Sequence, residues 1–569
     1  MKIFFFKGIA YITMILTFIF CTDHTYNMKN TICNPININY RFDSNEKLRR
    51  DISSPCIVLY DSIYYLFASN TNGYFSSNDL CHWKHISANL PSEAMDPTAV
   101  EINGELYFTS SFKTQTIFKT DDPQSGEWEV ATDSFPYNVA QPMLFYDNNK
   151  LFMYAGMGSL GTLTGIEINP QTWSPIGTFI PLISTNKKNG WEIPGDYNDW
   201  TSNNTWIEGA WMIKYKNCYY LQYSTPGGYL KSINDGVYIS NNPLGPFKLA
   251  VHNPISAKPE GFLTGAGNGC IFQDKYGNFW HIGLSTISTK HIFERRLILN
   301  PVFFDNENIL YAYTGWGDYP MHIPNKKVHS PQEIFTQWML LSFDKKTEVS
   351  SELRYHPACC AVDENIRSCW SAKTNNKGEY LMVDLDRVCE VYAIQINFAD
   401  HNSSLPNNNL YYQYQIEASN DKLHWEIITD DSHKGQGTPH DYIQFSKPIK
   451  HRYFKITNIN CPHGNFSLSG FRIFGKTDIN PPCQTDFYVS SRDTTDRRKV
   501  TLKWNRSDNA IGYNIRYGSS PNKLYQNHII YNDTEICLRN LQADQTYYFS
   551  IDSFNEGGIT YNEKIIEIK

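Results

Sequence analysis

The sequence predicts an all-β protein in which a five-bladed β-propeller precedes two smaller β-sandwiches. Three observations carry that reading. Aromatic residues make up 15% of the chain and charged residues only 19%, and Tyr- and Phe-rich runs alternate with Asn, Gly and Asp turns, the composition of half-buried strands. One strand–turn–strand pattern recurs five times in the first half, as a repeat of propeller blades requires. No apolar i, i+3, i+4, i+7 run is sustained beyond the N-terminus, so helices are not expected. With 569 residues the chain is too long for a single core and should divide into several.

The N-terminus begins with the basic residues Lys2 and Lys7, followed by an apolar stretch from Gly8 to Phe20. That stretch is short for a bilayer span but has the form of an export signal. Residues 1–21 are therefore expected to be a signal peptide, placing the protein in the periplasm, on the cell surface or outside the cell. Cys21 stands where a bacterial lipoprotein carries its lipid anchor, although the preceding Phe20 is bulkier than the usual small residue. No later segment is a transmembrane candidate.

Residues 40–335 are expected to form the propeller. The repeated hairpins read Pro55–Phe67, Pro97–Phe108, Pro142–Met153, Gly209–Leu221 and Gly269–Trp280, with turns such as Asn103-Gly104 and Gly277-Asn278. At the start of each first strand stands a polar residue: Ser54, Asp96, Gln141, Glu208 and Asn268. Innermost strands of a propeller line its channel, so these five converge on one rim. Polar residues at strand starts also serve as turn formers, and each alone would mean little.

The net charge is −7 and no basic stripe is present, which argues against nucleic acid as a partner. Neutral sugars, which stack on aromatic faces, suit this composition. The 13 cysteines are scattered without a C-x-x-C pair, and the vicinal Cys359-Cys360 argues against a regular disulfide ladder. Cys56, Cys218 and Cys270 lie in apolar strand patterns and are expected as buried thiols. No zinc site and no metal in the rim are expected.

Two modules follow. Residues 349–476 contain Cys369-Trp370-Ser371-Ala372, Val383-Asp384-Leu385, Ile416–Asp421 with Trp425, and Ser469–Gly475. This stretch resembles a discoidin, or F5/8 type C, module, which implies a β-sandwich that binds or spaces and brings a structural Ca2+ into consideration. After Pro481-Pro482, expected as a linker, residues 481–569 contain Val500–Trp504, Gly512–Tyr517, Leu541 and Tyr547–Ile551. They resemble a fibronectin type III module with Trp504 as its core tryptophan.

Glu208 is the strongest candidate for chemistry. It lies between Trp206-Ile207 and Gly209-Ala210-Trp211, neighbours that would desolvate a carboxyl and raise its pKa, as a general acid needs. Trp206–Met212, Tyr219–Ser224, Pro243–Phe247, Gly265–Cys270, Phe272–His281 and Phe293–Arg296 together resemble glycoside hydrolase family 43. That resemblance implies an inverting glycosidase acting on arabinose-, xylose- or galactose-containing polysaccharides or oligosaccharides, with no required cofactor and with Glu208 as general acid. It also implies a general-base Asp in the first blade, where this chain has Ser54, and a modulating Asp in the third, where it has Gln141. The family's Gly-His-Gly is here Gly267-Asn268-Gly269.

Serine cannot usefully accept a proton from water at neutral pH. Either another group supplies the base, or the propeller grips a glycan without cleaving it, or the protein is chiefly a surface scaffold. Asp96 is the candidate replacement base, with Asp51 reaching in from upstream as a second. Relatives acting on β-1,3-galactan use an amide, which would give Gln141 that role. Ser54, Trp206, Trp211, Asn268 and Arg296 are expected to contact substrate. Arg295 or Arg296 could hold Glu208, Trp191-Glu192 and Gly195–Asn198 could form a substrate-facing loop, and His281 is expected in the core.

Overall fold

A computed structural model describes residues 30–569 except 43–48, 93, 112–114, 134, 157–160, 404–410 and 436. The expected signal peptide and Cys21 lie outside the described residues. Among the described residues the regular elements are strands and short 3-10 turns, and no helix is long and apolar enough to cross a membrane.

Five antiparallel sheets, each of consecutive strands, occupy residues 53–86, 95–132, 143–184, 208–257 and 265–312. Each hairpin read from the sequence forms the first two strands of one sheet, for example Ser53–Tyr60 with Ile63–Ser69 and Glu208–Tyr215 with Cys218–Thr225. Every first strand contacts the first strand of the next sheet, and Gly265–Gln273 closes back onto Ser53–Tyr60. The sheets thus form a closed propeller ring in which residues far apart in sequence share one axis. Between neighbouring sheets lie apolar layers such as Phe67, Tyr74, Phe108 and Trp128. Their rings meet at 4.7–6.0 Å between centroids, the tilted and edge-on contacts aromatic quadrupoles favour.

The next module is one strongly bent sheet. Tyr380–Phe398 and His440–Asn460 run 19 and 21 residues, and bulges between Asp384 and Cys389 and between Val391 and Ala393 let them curl over a core containing Trp370, Phe454 and Phe471. The last module packs the sheet of Phe487–Arg492, Val500–Trp504 and Glu535–Leu538 against one built on Gly512–Gly518 and Tyr547–Asn555. Trp504 is fully buried between the two.

The modules share a core: Trp316, Tyr319 and Phe335 meet Phe474 of the second module and Ile529 and Phe554 of the third. Charged residues reinforce the junction. Arg50 pairs with Asp400 at 2.8 Å, and Arg472 pairs with Glu364 at 2.8 Å while donating to the Asp318 carbonyl at 2.6 Å. The Pro481-Pro482 stretch expected as a linker is packed, since Thr560 Oγ1 donates to the Pro482 carbonyl at 2.6 Å. Cys56 and Cys270 are buried, whereas Cys218 is half-exposed and all twelve described cysteines are free.

Candidate functional site

The rim is built by one backbone device repeated around the ring. Strand pairing aligns Cys56, Thr98, Met143, Trp211 and Cys270 as equivalent positions, opposite Phe67, Thr109, Tyr154, Gln222 and Ile282. Two residues earlier stand Ser54, Asp96, Gln141, Gly209 and Asn268, all left-handed, with φ of 48, 49, 50, 63 and 50°. Four of the five are not glycine, and such residues cost on the order of 1–3 kcal/mol each unless their surroundings hold them. The register corrects one sequence expectation: Glu208 is not the equivalent residue of the fourth sheet but precedes it, and Gly209 takes the left-handed place.

Serines at the ends of second strands hold the turns. Ser69, Ser111 and Ser224 accept the backbone N–H groups of Asp96, Gln141 and Asn268 at 2.9, 2.7 and 2.7 Å. In the third sheet Gly156 lies opposite Ala140 and offers no hydroxyl, so the Gly209 N–H donates to Gln141 Oε1 at 2.6 Å. With its amide oxygen engaged there, Gln141 turns Nε2 toward Glu208 Oε2, 3.5 Å away. Gln141 thus donates to the Glu208 carboxyl while its oxygen accepts the Gly209 N–H.

Glu208 lies buried on the floor of a cavity of about 800 Å³. Trp206 Nε1 donates to its Oε2 at 3.0 Å and Asn268 Nδ2 to its Oε1 at a long 3.4 Å. Burial pushes the carboxyl above its usual range; the Trp206 donor partly opposes this and the charge of Asp96 adds to it. Asp96 is raised by burial as well, against hydrogen bonds from Ser54 and Ser111. Ser54 Oγ stands 2.5 Å from Asp96 Oδ1 and 3.0 Å from Asn268 Oδ1, two acceptors that compete for its single proton, so Ser54 and Asn268 link the surroundings of Asp96 to those of Glu208. Neither carboxyl forms an ion pair among the described residues. Below, Asp235 accepts the Asn268 N–H at 2.9 Å and meets His281 Nε2 at 2.6 Å, with the imidazole fully buried.

Ser54, Asp96, Gln141, Trp206, Glu208 and Asn268 all line the cavity. Trp211 does not: its Nε1 donates to the Ile271 carbonyl at 2.9 Å, and it borders only a recess of about 40 Å³ beneath the floor. Arg296 is also absent. Successive strand residues face opposite ways, so Arg296 turns into the module junction, donating to His440 Nε2 at 2.8 Å. Arg295 instead faces the cavity and grips Asp51 at 2.7 and 2.9 Å. That pairing leaves Asp51 occupied as a partner of Arg295.

In the insertion before Glu208, Trp191 and Glu192 are fully buried, with Trp191 Nε1 donating to Tyr223 OH at 3.0 Å and that hydroxyl donating to Glu192 at 2.8 Å. Pro194, Trp200, Asn203 and Asn204 face the cavity in their place. Sequence reasoning missed Trp200 and Tyr229, which line the cavity while 43% and 36% exposed. Their signal was weak: Trp200 amid Asp, Ser and Asn, and Tyr229 after Pro226-Gly227-Gly228. Exposed aromatic faces beside convergent polar groups suit a ligand with apolar faces and hydroxyl edges.

Known proteins resemble parts of the chain. Residues 47–310 match the model of glycosyl hydrolases family 43. That region is similar to a family 43 domain. Residues 345–469 match the F5/8 type C domain. No curated protein matches the chain. Among solved structures the chain is similar to a glycoside hydrolase at 16% identity and TM-score 0.44, covering 75% of this chain and 100% of the other. It is also similar to the Bacteroides ovatus xyloglucan PUL GH43B, at 14% identity and TM-score 0.42, covering 93% and 97%. An endo-1,4-beta-xylanase from Bacteroides thetaiotaomicron is 19% identical with TM-score 0.39, covering 48% and 96%.

Proposed function

We propose that the protein is an exported glycoside hydrolase that cleaves arabinose-, xylose- or galactose-containing glycans, with Glu208 as general acid and Asp96 as general base. The observation that carries this reading is the pair of carboxyls on one cavity floor, each raised by burial and neither neutralised by an ion pair. In the reactive state Glu208 holds the proton and Asp96 is ionised. Glu208 gives its proton to the glycosidic oxygen as the bond to the anomeric carbon breaks. Asp96 takes a proton from the water that attacks that carbon from the opposite face.

The flanking groups fit this division. The Ser54 hydroxyl donates to Asp96 Oδ1 and so favours its ionised form. Ser54 and Asn268 stand between the carboxyls, as expected of an inverting pair that must leave room for water rather than touch. Trp206 and Gln141 position Glu208 from the other side. Asp51 is the poorer base because Arg295 already holds both its oxygens.

Loss of the family's base at Ser54 favours a second reading, a propeller that binds glycans without cutting them. Aryl arabinofuranosides, xylosides and galactosides separate the two: the wild type should release aryl alcohol and Glu208→Gln should not. Equal turnover by both proteins would remove Glu208 from the mechanism. No turnover by the wild type, with sugar binding lost in Trp206→Ala, would establish the binding reading. The F5/8 type C module and the last sandwich, proposed as fibronectin type III-like, would then position this cavity against the polysaccharide.

A further inference from the structure

Outside the cavity, one group of metal-ligating side chains converges among the described residues: His356, Cys369 and His401, whose nitrogen and sulfur atoms all lie within 4.8 Å of one another. They come from three separate loops at one end of the F5/8 type C sandwich. His356 follows Leu353 in a tight bridge, Cys369 directly precedes the strand Trp370–Ser371, and His401 lies in the turn after Tyr380–Phe398. Their spacing along the chain matches no metal-binding motif.

We propose that His356, Cys369 and His401 bind zinc. His356 Nδ1 is 3.2 Å from Cys369 Sγ. A tetrahedral zinc with bonds of about 2.0 Å to nitrogen and 2.3 Å to sulfur would place those atoms about 3.5 Å apart, so a small adjustment admits the ion. The imidazoles of His356 and His401 lie with centroids 4.0 Å apart, and the ring nitrogens of His401 make no hydrogen bond among the described residues. Two imidazoles and a thiolate are a borderline-to-soft donor set, suited to zinc rather than to the oxygen-seeking calcium. All three residues are half-buried, which leaves access for the ion and a fourth position for water or for Cys360, close enough for its charge to bear on Cys369. On binding, the Cys369 thiol releases its proton to solvent and no redox step is involved.

The scaffold is built before the metal arrives. The Ser371 N–H donates to the His356 carbonyl at 3.1 Å, and the Leu353 N–H to the Ser371 carbonyl at 2.9 Å, which ties the His356 and Cys369 loops together. The His401 N–H donates to Ser467 Oγ at 3.1 Å. Its neighbour Asp400 is the buried partner of Arg50, between the cavity-lining Arg49 and Asp51. The carbonyl of Asp400 also accepts Lys290 Nζ from the propeller. A zinc ion here would therefore pin the turn through which the second module grips the first.

The test uses the full-length reduced protein, titrated with zinc alone and with cobalt as a spectroscopic substitute. One zinc per chain is expected, with affinity falling at least tenfold in Cys369→Ser and in His401→Gln. The cobalt form should show a sulfur-to-metal charge-transfer band that Cys369→Ser lacks. Zinc, but not calcium, should raise the Tm of the wild type. Absence of the band in the wild type would overturn the proposal even if the variants fail to fold. So would its persistence in Cys369→Ser.

Discussion

The cavity floor and the module junction both bury carboxylates, yet they treat them in opposite ways. At the junction Asp400 faces Arg50 at 2.8 Å and takes a hydrogen bond from Tyr412 at 2.7 Å. Burial alone would raise its pKa, but the charges of Arg50 and Lys290 outweigh it and hold the group well below the usual carboxylate range. On the cavity floor Glu208 and Asp96 accept hydrogen bonds from neutral donors and form no ion pair among the described residues; burial raises both, and the more distant charge of Arg295 only partly opposes it. A buried carboxylate with a cation is fixed in one protonation state and holds structure. One without a cation can exchange its proton, which is what acid–base chemistry requires.

The sharpest way to break this contrast is Glu208→Gln. Loss of a general acid should lower kcat/KM on aryl glycosides by roughly 10³-fold, within the usual range for such groups. At the junction, Arg50→Met should leave Asp400 buried without its partner and cost about 3–5 kcal/mol in denaturant unfolding, with chemistry at the cavity altered far less. Asp96→Asn should lower kcat/KM by about 10²-fold. Because the Asp96 charge raises the pKa of Glu208, its removal should also move the alkaline limb of the pH profile to lower pH. Trp206→Phe removes a donor to ionised Glu208, so that limb should move to higher pH, with a rate loss of less than about tenfold. A limb unmoved by both variants would mean that Glu208 does not set it.

The two regions should also differ in the sign of their pH-dependent stability. Asp400, lowered in the folded state, stabilises the fold above its unfolded pKa near 4, and that contribution fades as the pH falls below about 4. Glu208, raised in the folded state, opposes folding as the pH climbs above about 4.3. Glu208→Gln should therefore unfold at a higher temperature than the wild type at pH 7, the gain vanishing below about pH 4. Thermal unfolding across pH 3–8 checks both signs.

Much of this was legible in the residues because local rules sufficed. Alternating apolar and polar positions with Asn-Gly and Gly-Asn turns mark hairpins wherever they occur, and Glu208 stood out through its aromatic neighbours. Arg295 and Arg296 could not be told apart, because which of two adjacent strand residues faces a cavity depends on where the sheet sits in the ring. Trp211, equally aromatic, went to the layer between sheets. The one-residue offset of Glu208 was hidden because a bulge changes register without changing composition.

From the sequence alone came the β class, the repeated hairpins, and the family likeness that singled out Glu208, since strand and turn preferences act over a few neighbouring residues. Tertiary structure alone decided that Asp51 belongs to Arg295, that Asp96 lines the same cavity as Glu208, and that His356, Cys369 and His401 meet. Those pairings depend on loop closure and sheet packing, which bring together groups that no spacing rule connects.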